Sequence, residues 1–213
     1  MTPSPDADRS TPKWRKDCAA AVLRFVMGAR PLPSALLPQT HPVIFFANHS
    51  SHLDAPLIWA CLPSAWRDRT RPVAARDYWD RGALRRHLAA HVLHAVLIDR
   101  QRVSVRHNPL EALRAALDRG DSLLIFPEGT RSPDGRLQPF KSGLYHLARE
   151  RPTLPLVPIS LENLSRILPK HELLPVPFVA SLFVGPPLHL APDEDRAAFL
   201  ERARSAILAL QRP

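Results

Sequence analysis

The segment Asn48-His49-Ser50-Ser51-His52-Leu53-Asp54 places a carboxylate five positions after a histidine, at the end of a short apolar run over residues 42–47. An aspartate that accepts a hydrogen bond from one imidazole nitrogen fixes the tautomer and leaves the other nitrogen basic, which is what removing a proton from a hydroxyl requires. In this reading His49 is the base and Asp54 its orienter. Structure alone offers a second reading, because Ala55, Pro56 and Leu57 follow Asp54 and make it a candidate helix N-cap, and a loop imidazole can bond to backbone. A third reading takes His49, His52 and Asp54 as metal ligands. It lacks a further acidic or histidine-rich segment to complete the set, so no metal is expected and His52 is assigned a structural role.

Two more segments carry groups suited to anions. In Leu97-Ile98-Asp99-Arg100 an arginine follows an apolar run, and its guanidinium can grip a phosphate bidentately; Arg102 and Arg106 read instead as a solvated basic loop. In Ile125-Phe126-Pro127-Glu128-Gly129-Thr130-Arg131-Ser132 a turn holds an acid, a glycine, a hydroxyl and an arginine. Such a turn can aim N–H groups and a guanidinium at an anion while Glu128 positions donors or a substrate hydroxyl, although Pro127 and Gly129 also suit a plain turn.

These segments need strands to deliver them. Apolar runs at 42–47, 72–75, 95–98, 122–126, 156–160 and 178–184 read as strands, and helices are expected over 14–27, from Asp54 onward, over 79–91, over 141–150 and over 192–210. Asn108 and Glu111 have the spacing of a reciprocal cap, with Pro109 in the first turn, Leu110, Leu113 and Leu117 as an apolar stripe, and Gly120 as the stop. The final helix is acidic at its start and apolar on one face through Phe199, Ala203, Ile207 and Leu210. Strands alternating with helices predict an α/β fold, a central largely parallel or mixed sheet flanked by helices, with the site in the loops at the strands' carboxyl ends.

Length and composition set the frame. The 213 residues suffice for one domain with a sizeable core, and 45% hydrophobic with 23% charged residues fits a folded chain despite 24 prolines. The organisation expected is a flexible stretch over 1–12, an amphipathic helix and proline-rich connector over 13–41, and the main domain over 42–213. Twenty-nine Lys and Arg against 20 Asp and Glu give +9, which suits an anionic partner: nucleic acid, an anionic membrane or a phosphorylated substrate. A basic module binding nucleic acid or anionic lipid without catalysis is therefore one reading of the charge. Two cysteines cannot build a disulfide framework, and the opening MTPSPDADRS lacks the basic-then-apolar order of a leader, so a reducing, cytosolic setting is expected. Arg24 and Arg30 interrupt the most apolar N-terminal part before it reaches the ~18 residues of a spanning helix. Trp14 with Lys13, Arg15 and Lys16 gives the first helix either a membrane-surface role or a place on the core.

Taken in order, His49-(four residues)-Asp54, Asp99-Arg100, Phe126-Pro127-Glu128-Gly129-Thr130-Arg131-Ser132 and Val157-Pro158-Ile159 resemble the four blocks of the lysophosphatidic acid and glycerol-3-phosphate acyltransferase superfamily. Phe140-Lys141-x-Gly143 is similar to the segment that usually follows the third block. The resemblance implies transfer of a fatty acyl group from acyl-CoA or acyl carrier protein to a lysophospholipid, most specifically 1-acyl-sn-glycerol-3-phosphate, with no cofactor and no nucleic acid. It implies His49 as base and Asp54 as its partner, no acyl-enzyme, and binding of the acceptor's phosphate and glycerol region by Arg100, Glu128, Gly129, Thr130 and Arg131. Pro158 would shape the site near the donor. A peripheral or monotopic place on the cytoplasmic face of the membrane follows from such an acceptor. Two departures stand out: His94 and Leu97 occupy positions where the second block usually has glycine and an aromatic, and Ala75, beside Arg76, stands where many lysophosphatidic acid enzymes carry a phosphate-binding lysine.

Overall fold

The computed structural model describes residues 12–80, 82–99, 108–162 and 180–211. Among these, six strands form one sheet: β1 (Ile44–Ala47), β2 (Thr70–Ala75), β3 (Val96–Ile98), β4 (Ser122–Ile125), β5 (Leu156–Glu162) and β6 (Ser181–Val184). Their order is β3-β2-β4-β1-β5-β6. Every pairing is parallel except that of β6, which runs antiparallel to β5. The helices are α1 (Lys13–Val26), α2 (Asp54–Cys61), α3 (Ser64–Arg67), α4 (Arg76–Trp79), α5 (Ala83–His87), α6 (Pro109–Asp118), α7 (Gly143–Glu150) and α8 (Arg196–Leu208). The α/β class and the largely parallel sheet are as expected from the sequence.

All four residues of β1 are buried, and they alternate between two cores. Phe45 and Ala47 pack with Leu57, Ile58 and Cys61 of α2 on one face, whereas Ile44 and Phe46 pack with residues of α6, α7 and α8 on the other. A central strand covered on both sides has no polar face to present, which is why this run reads as continuously apolar. Phe45, Phe46 and Phe199 are all fully buried, and truncation of such a side chain to alanine costs about 3–5 kcal/mol.

The neighbours β1 and β4 send their chains to opposite faces: β1 leads into α2, packed in one core, and β4 leads through a loop into α7, packed in the other. A crevice at the strands' carboxyl ends results where neighbouring connections diverge in this way. The loops carrying His49 and Glu128 therefore lie side by side.

Local chemistry sets most boundaries. The side chain of Asn108 accepts the Leu110 N–H at 3.0 Å, Pro109 opens α6, and Gly120 at φ +80° follows its end. Asp195 caps α8 through the Ala198 N–H at 2.8 Å, and Phe199, Ala203 and Ile207 form its buried face. Three expectations are corrected. Leu53, not Asp54, stands at the N-cap of α2, and Asp54 is the first helical residue with its carboxylate turned back into the preceding loop. The stretch 79–91 is not one helix: α4 ends at Trp79, Gly82 takes φ +100°, and α5 continues into a wider turn over Leu88–Val92. Phe178 falls outside the described residues, and the strand there begins at Ser181.

α1 serves the core on one side only. Ala20 is fully buried against Trp59 and Ala60 of α2, the guanidinium of Arg24 donates to the Ala60 carbonyl at 2.6 Å, and Asp17 pairs with the buried Arg67 at 2.8 Å. Its other side leaves Trp14, Val22 and Phe25 exposed, the last at 89%. No helix among the described residues is long and apolar enough to cross a membrane.

Candidate active site

β1 ends at Ala47, and the next side chain takes over the pairing. Asn48 donates from Nδ2 to the Leu161 carbonyl at 2.9 Å and accepts the Leu161 N–H on Oδ1 at 2.7 Å, which ties the strand end to β5. His49 then leaves the sheet with both backbone groups held by the loop after β4. Its N–H donates to Glu128 Oε1 at 2.6 Å, and its carbonyl accepts the Ser132 N–H at 2.7 Å. The imidazole lies nearly flat on Phe126, with ring centroids 4.3 Å apart and planes 21° apart.

Asp54 closes the loop from the other side. Its Oδ2 lies 2.8 Å from His49 Nδ1 and also accepts the N–H groups of Ser50 at 2.7 Å and Ser51 at 2.8 Å. The carboxylate is fully buried, and the oxygen that faces Nδ1 already acts as acceptor for two amides, so Nδ1 is the donor in this contact and Nε2 is the nitrogen Asp54 leaves unengaged. The first turn of α2 thus positions the group that sets the tautomer.

Glu128 is 2% exposed, and its second oxygen accepts the Gln138 N–H at 2.8 Å. Burial pushes this carboxyl above the ordinary glutamate range, and the Gln138 and His49 amides oppose that only in part. The sequence suggested that Glu128 positions donors or a substrate hydroxyl, and the resemblance that it binds the acceptor. In the fold its two oxygens hold the His49 and Gln138 amides and so join two backbone segments. The loop is closed further by Asp134 Oδ1, which accepts the Ser132 hydroxyl at 2.9 Å and the Arg136 N–H at 3.1 Å; these bonds, that of Arg136 first, hold the Asp134 carboxyl below its ordinary range. At the base the Lys141 N–H donates to the Pro127 carbonyl at 2.8 Å.

His49, Gly129, Thr130 and Arg131 share the lining of one cavity of about 650 Å³. Its apolar wall includes Val73, Ile98, Leu110, Leu113, Ile125 and Leu147, contributed by β2, β3, β4, α6 and α7. A base facing a cavity that combines an apolar wall with cations suits an amphiphilic substrate carrying a hydroxyl and an anion. Ala75 lines the same cavity without charge. His52 also lines it, but among the described residues no three His, Cys, Asp or Glu side chains are grouped to hold a metal ion. Arg100, with Arg102 and Arg106, lies outside the described residues. The substituted glycine of the second block has a conformational signature: His94 is held at φ +47°, in the left-handed region that favours glycine.

A model of the family described as Acyltransferase matches residues 32–162. This chain belongs to the acyltransferase family. Within the family it is 31% identical over 180 residues to the mouse 1-acyl-sn-glycerol-3-phosphate acyltransferase alpha, covering 82% of this chain and 60% of that protein. It is 37% identical over 122 residues to the 1-acyl-sn-glycerol-3-phosphate acyltransferase of Limnanthes alba, covering 55% of this chain and 40% of that one. The chain thus spans about three fifths of the length of its mammalian relatives. The crystal structure of the 1-acyl-sn-glycerophosphate (LPA) acyltransferase PlsC from Thermotoga maritima superposes with a TM-score of 0.72 at 19% identity, over 98% of this chain and 82% of that one, which shows a shared fold.

Three residues of this candidate site escape a reading confined to side-chain chemistry. Asn48 acts by completing the sheet and Phe126 by supporting the imidazole, roles that depend on strand neighbours far apart in sequence. Lys141 enters the cavity because its loop folds back over Gly129, and its only sequence signal is the Phe140-Lys141-x-Gly143 segment.

Proposed function

We propose that this acyltransferase moves a fatty acyl group from a thioester of coenzyme A or acyl carrier protein to the free hydroxyl of 1-acyl-sn-glycerol-3-phosphate, giving phosphatidic acid. The observation that carries the proposal is the 2.8 Å contact of His49 Nδ1 with buried Asp54, beside a cavity that also holds Arg131 and Lys141. His49 Nε2 accepts the proton of the acceptor hydroxyl as its oxygen bonds to the thioester carbonyl carbon. The tetrahedral adduct then collapses with loss of the carbon–sulfur bond, and the imidazolium returns its proton to the departing thiolate. The products are an ester and a free thiol, with no acyl group passing through the enzyme. Asp54 stabilises the imidazolium between the two transfers, and Glu128 keeps the His49 backbone in place. Arg131, with Gly129 and Thr130 on the same turn, faces the acceptor's phosphate and glycerol, and Arg100 joins them in this reading. The names of the relatives in mammals and plants support this acceptor.

The acceptor is a membrane lipid, so the protein works at a bilayer, bound peripherally or monotopically on its cytoplasmic face. Exposed Trp14, Val22 and Phe25 beside Lys13 and Arg15 give α1 an apolar surface with cations at headgroup level. The test is incubation of wild type and His49→Ala with acyl-CoA or acyl carrier protein thioester and a mixed lysolipid panel, with products read by mass. Phosphatidic acid from wild type and none from the folded variant is expected. Another diacyl product would change the acceptor, and no acyl transfer at all would overturn the proposal.

A further inference from the structure

Only two side chains with a permanent positive charge line the described part of the cavity, Arg131 and Lys141, against one carboxylate, Asp77. Neither cation pairs with a carboxylate among the described residues, although ion pairs are frequent elsewhere, as at Arg114 with Glu150 and Arg202 with Glu194. Lys141 also lies across the turn at Gly129, with its side chain exposed. A Cβ placed on Gly129 would stand 2.8 Å from its Cδ and 2.9 Å from its Nζ, closer than real contacts allow. The missing side chain of Gly129 is therefore the space that the lysine stem and ammonium occupy. Gly129 takes φ +70°, so the backbone of this turn favours glycine, and its lack of a side chain lets the lysine lie close over the turn.

The loop bearing these groups is tied at both ends. Lys141 N–H to Pro127 carbonyl fixes its base, and Ser132 N–H to His49 carbonyl fixes it to the histidine loop. A cation on this frame keeps a constant relation to His49, whereas β2 offers only Val73, Ala74 and Ala75 to the same cavity. We infer that Lys141, lying over Gly129, is a binding residue for the acceptor's phosphate and, together with Arg131, sets the preference for an acceptor that carries one. This rests on the acyl-transfer reading above. Lysine is a compact point charge with three donors, and Arg131 supplies a planar fork, so the two hold different oxygens of one phosphate monoester.

The test measures binding without turnover. Wild type, K141Q and K141R are titrated calorimetrically with a short-chain 1-acylglycerol 3-phosphate, with the 1-acylglycerol of the same chain, and with coenzyme A. Thermal melting checks that the variants fold, which the exposed position of Lys141 favours. The expected result is a margin for the phosphate ligand that narrows about tenfold in K141Q and is partly kept in K141R, matched by a similar rise in the acceptor KM. A wild type that prefers the phosphate by a margin unchanged in K141Q overturns the Lys141 assignment alone. A wild type that binds both acylglycerols equally overturns the acceptor reading and this assignment with it. Loss of affinity for coenzyme A with the acceptor margin intact transfers the lysine to the donor's phosphates and also overturns the inference.

Discussion

Glu128 Oε1 accepts the backbone N–H of His49 at 2.6 Å, so a buried carboxylate from the loop after β4 fixes the residue that follows the end of β1. Replacing it by glutamine keeps the shape but offers one carbonyl oxygen to two amide donors, those of His49 and Gln138. One N–H then faces an NH2 group, and an unsatisfied buried donor costs about 1–3 kcal/mol. E128Q is expected to lose stability by that order in chemical denaturation and to lose activity mainly in kcat. An unchanged kcat would remove Glu128 from the positioning of His49.

The same carboxyl gives a pH signature of definite sign. Its folded pKa is raised, chiefly by burial, so between the unfolded value and the folded value the native chain binds more protons than the unfolded one. Stability from this group therefore falls as pH rises through that window and stays level above it. Urea midpoints of wild type minus E128Q, followed upward from about pH 4.5, should decline and then flatten. A difference that instead grows with pH would contradict the burial of an uncompensated carboxyl.

Asp54 sets the tautomer of His49 and ties down the Ser50 and Ser51 amides with one oxygen. In D54N the amide oxygen can still accept, but the negative charge that stabilises an imidazolium is gone. We expect kcat to fall by roughly 10³-fold, within the range that general base catalysis contributes. His49→Ala should cost a comparable amount, and the double variant little more, since the two act as one unit. Additive losses in the double variant would mean that they act separately.

The sequence made His49 and Asp54 legible because their pairing is local: five residues and one helix start bring them together. Glu128 was visible as an acid in a turn, but its partners were not, since the amides that it holds belong to His49 and Gln138, in separate segments. The strands were legible from their apolar runs, whereas the helix expected over 79–91 divides because Gly82 adopts a positive φ that composition does not announce. Asp54 resembled an N-cap by spacing, yet three donors in the preceding loop hold its carboxylate more strongly than one helical amide would.

Gly129 tests the cavity's architecture. Alanine there meets an unfavourable φ of +70° and places its Cβ against the Lys141 side chain. The backbone term alone is about 1–2 kcal/mol, and the exposed end of the lysine is displaced from above the turn at little further cost. G129A should therefore melt lower and, under the proposed function, show a raised acceptor KM. A variant that melts lower with wild-type acceptor affinity would separate the turn's strain from the placement of Lys141.

Phe25 is 89% exposed on the side of α1 away from Ala20, which is fully buried against α2. A polar residue at this position loses no core contact, so Phe25→Ser should leave thermal stability within about 0.5 kcal/mol of wild type. If the outer surface of α1 inserts into headgroups, the same change removes an aromatic worth about 1.5–3 kcal/mol on burial, and affinity for anionic vesicles should fall roughly tenfold or more. Raising salt should weaken the interaction of both proteins, because screening acts on the +9 charge and not on the apolar contact. Co-sedimentation with vesicles at two ionic strengths therefore separates the two contributions. Equal binding by wild type and Phe25→Ser at every salt concentration would mean that charge alone holds the protein at the bilayer and that this helix surface stays in water.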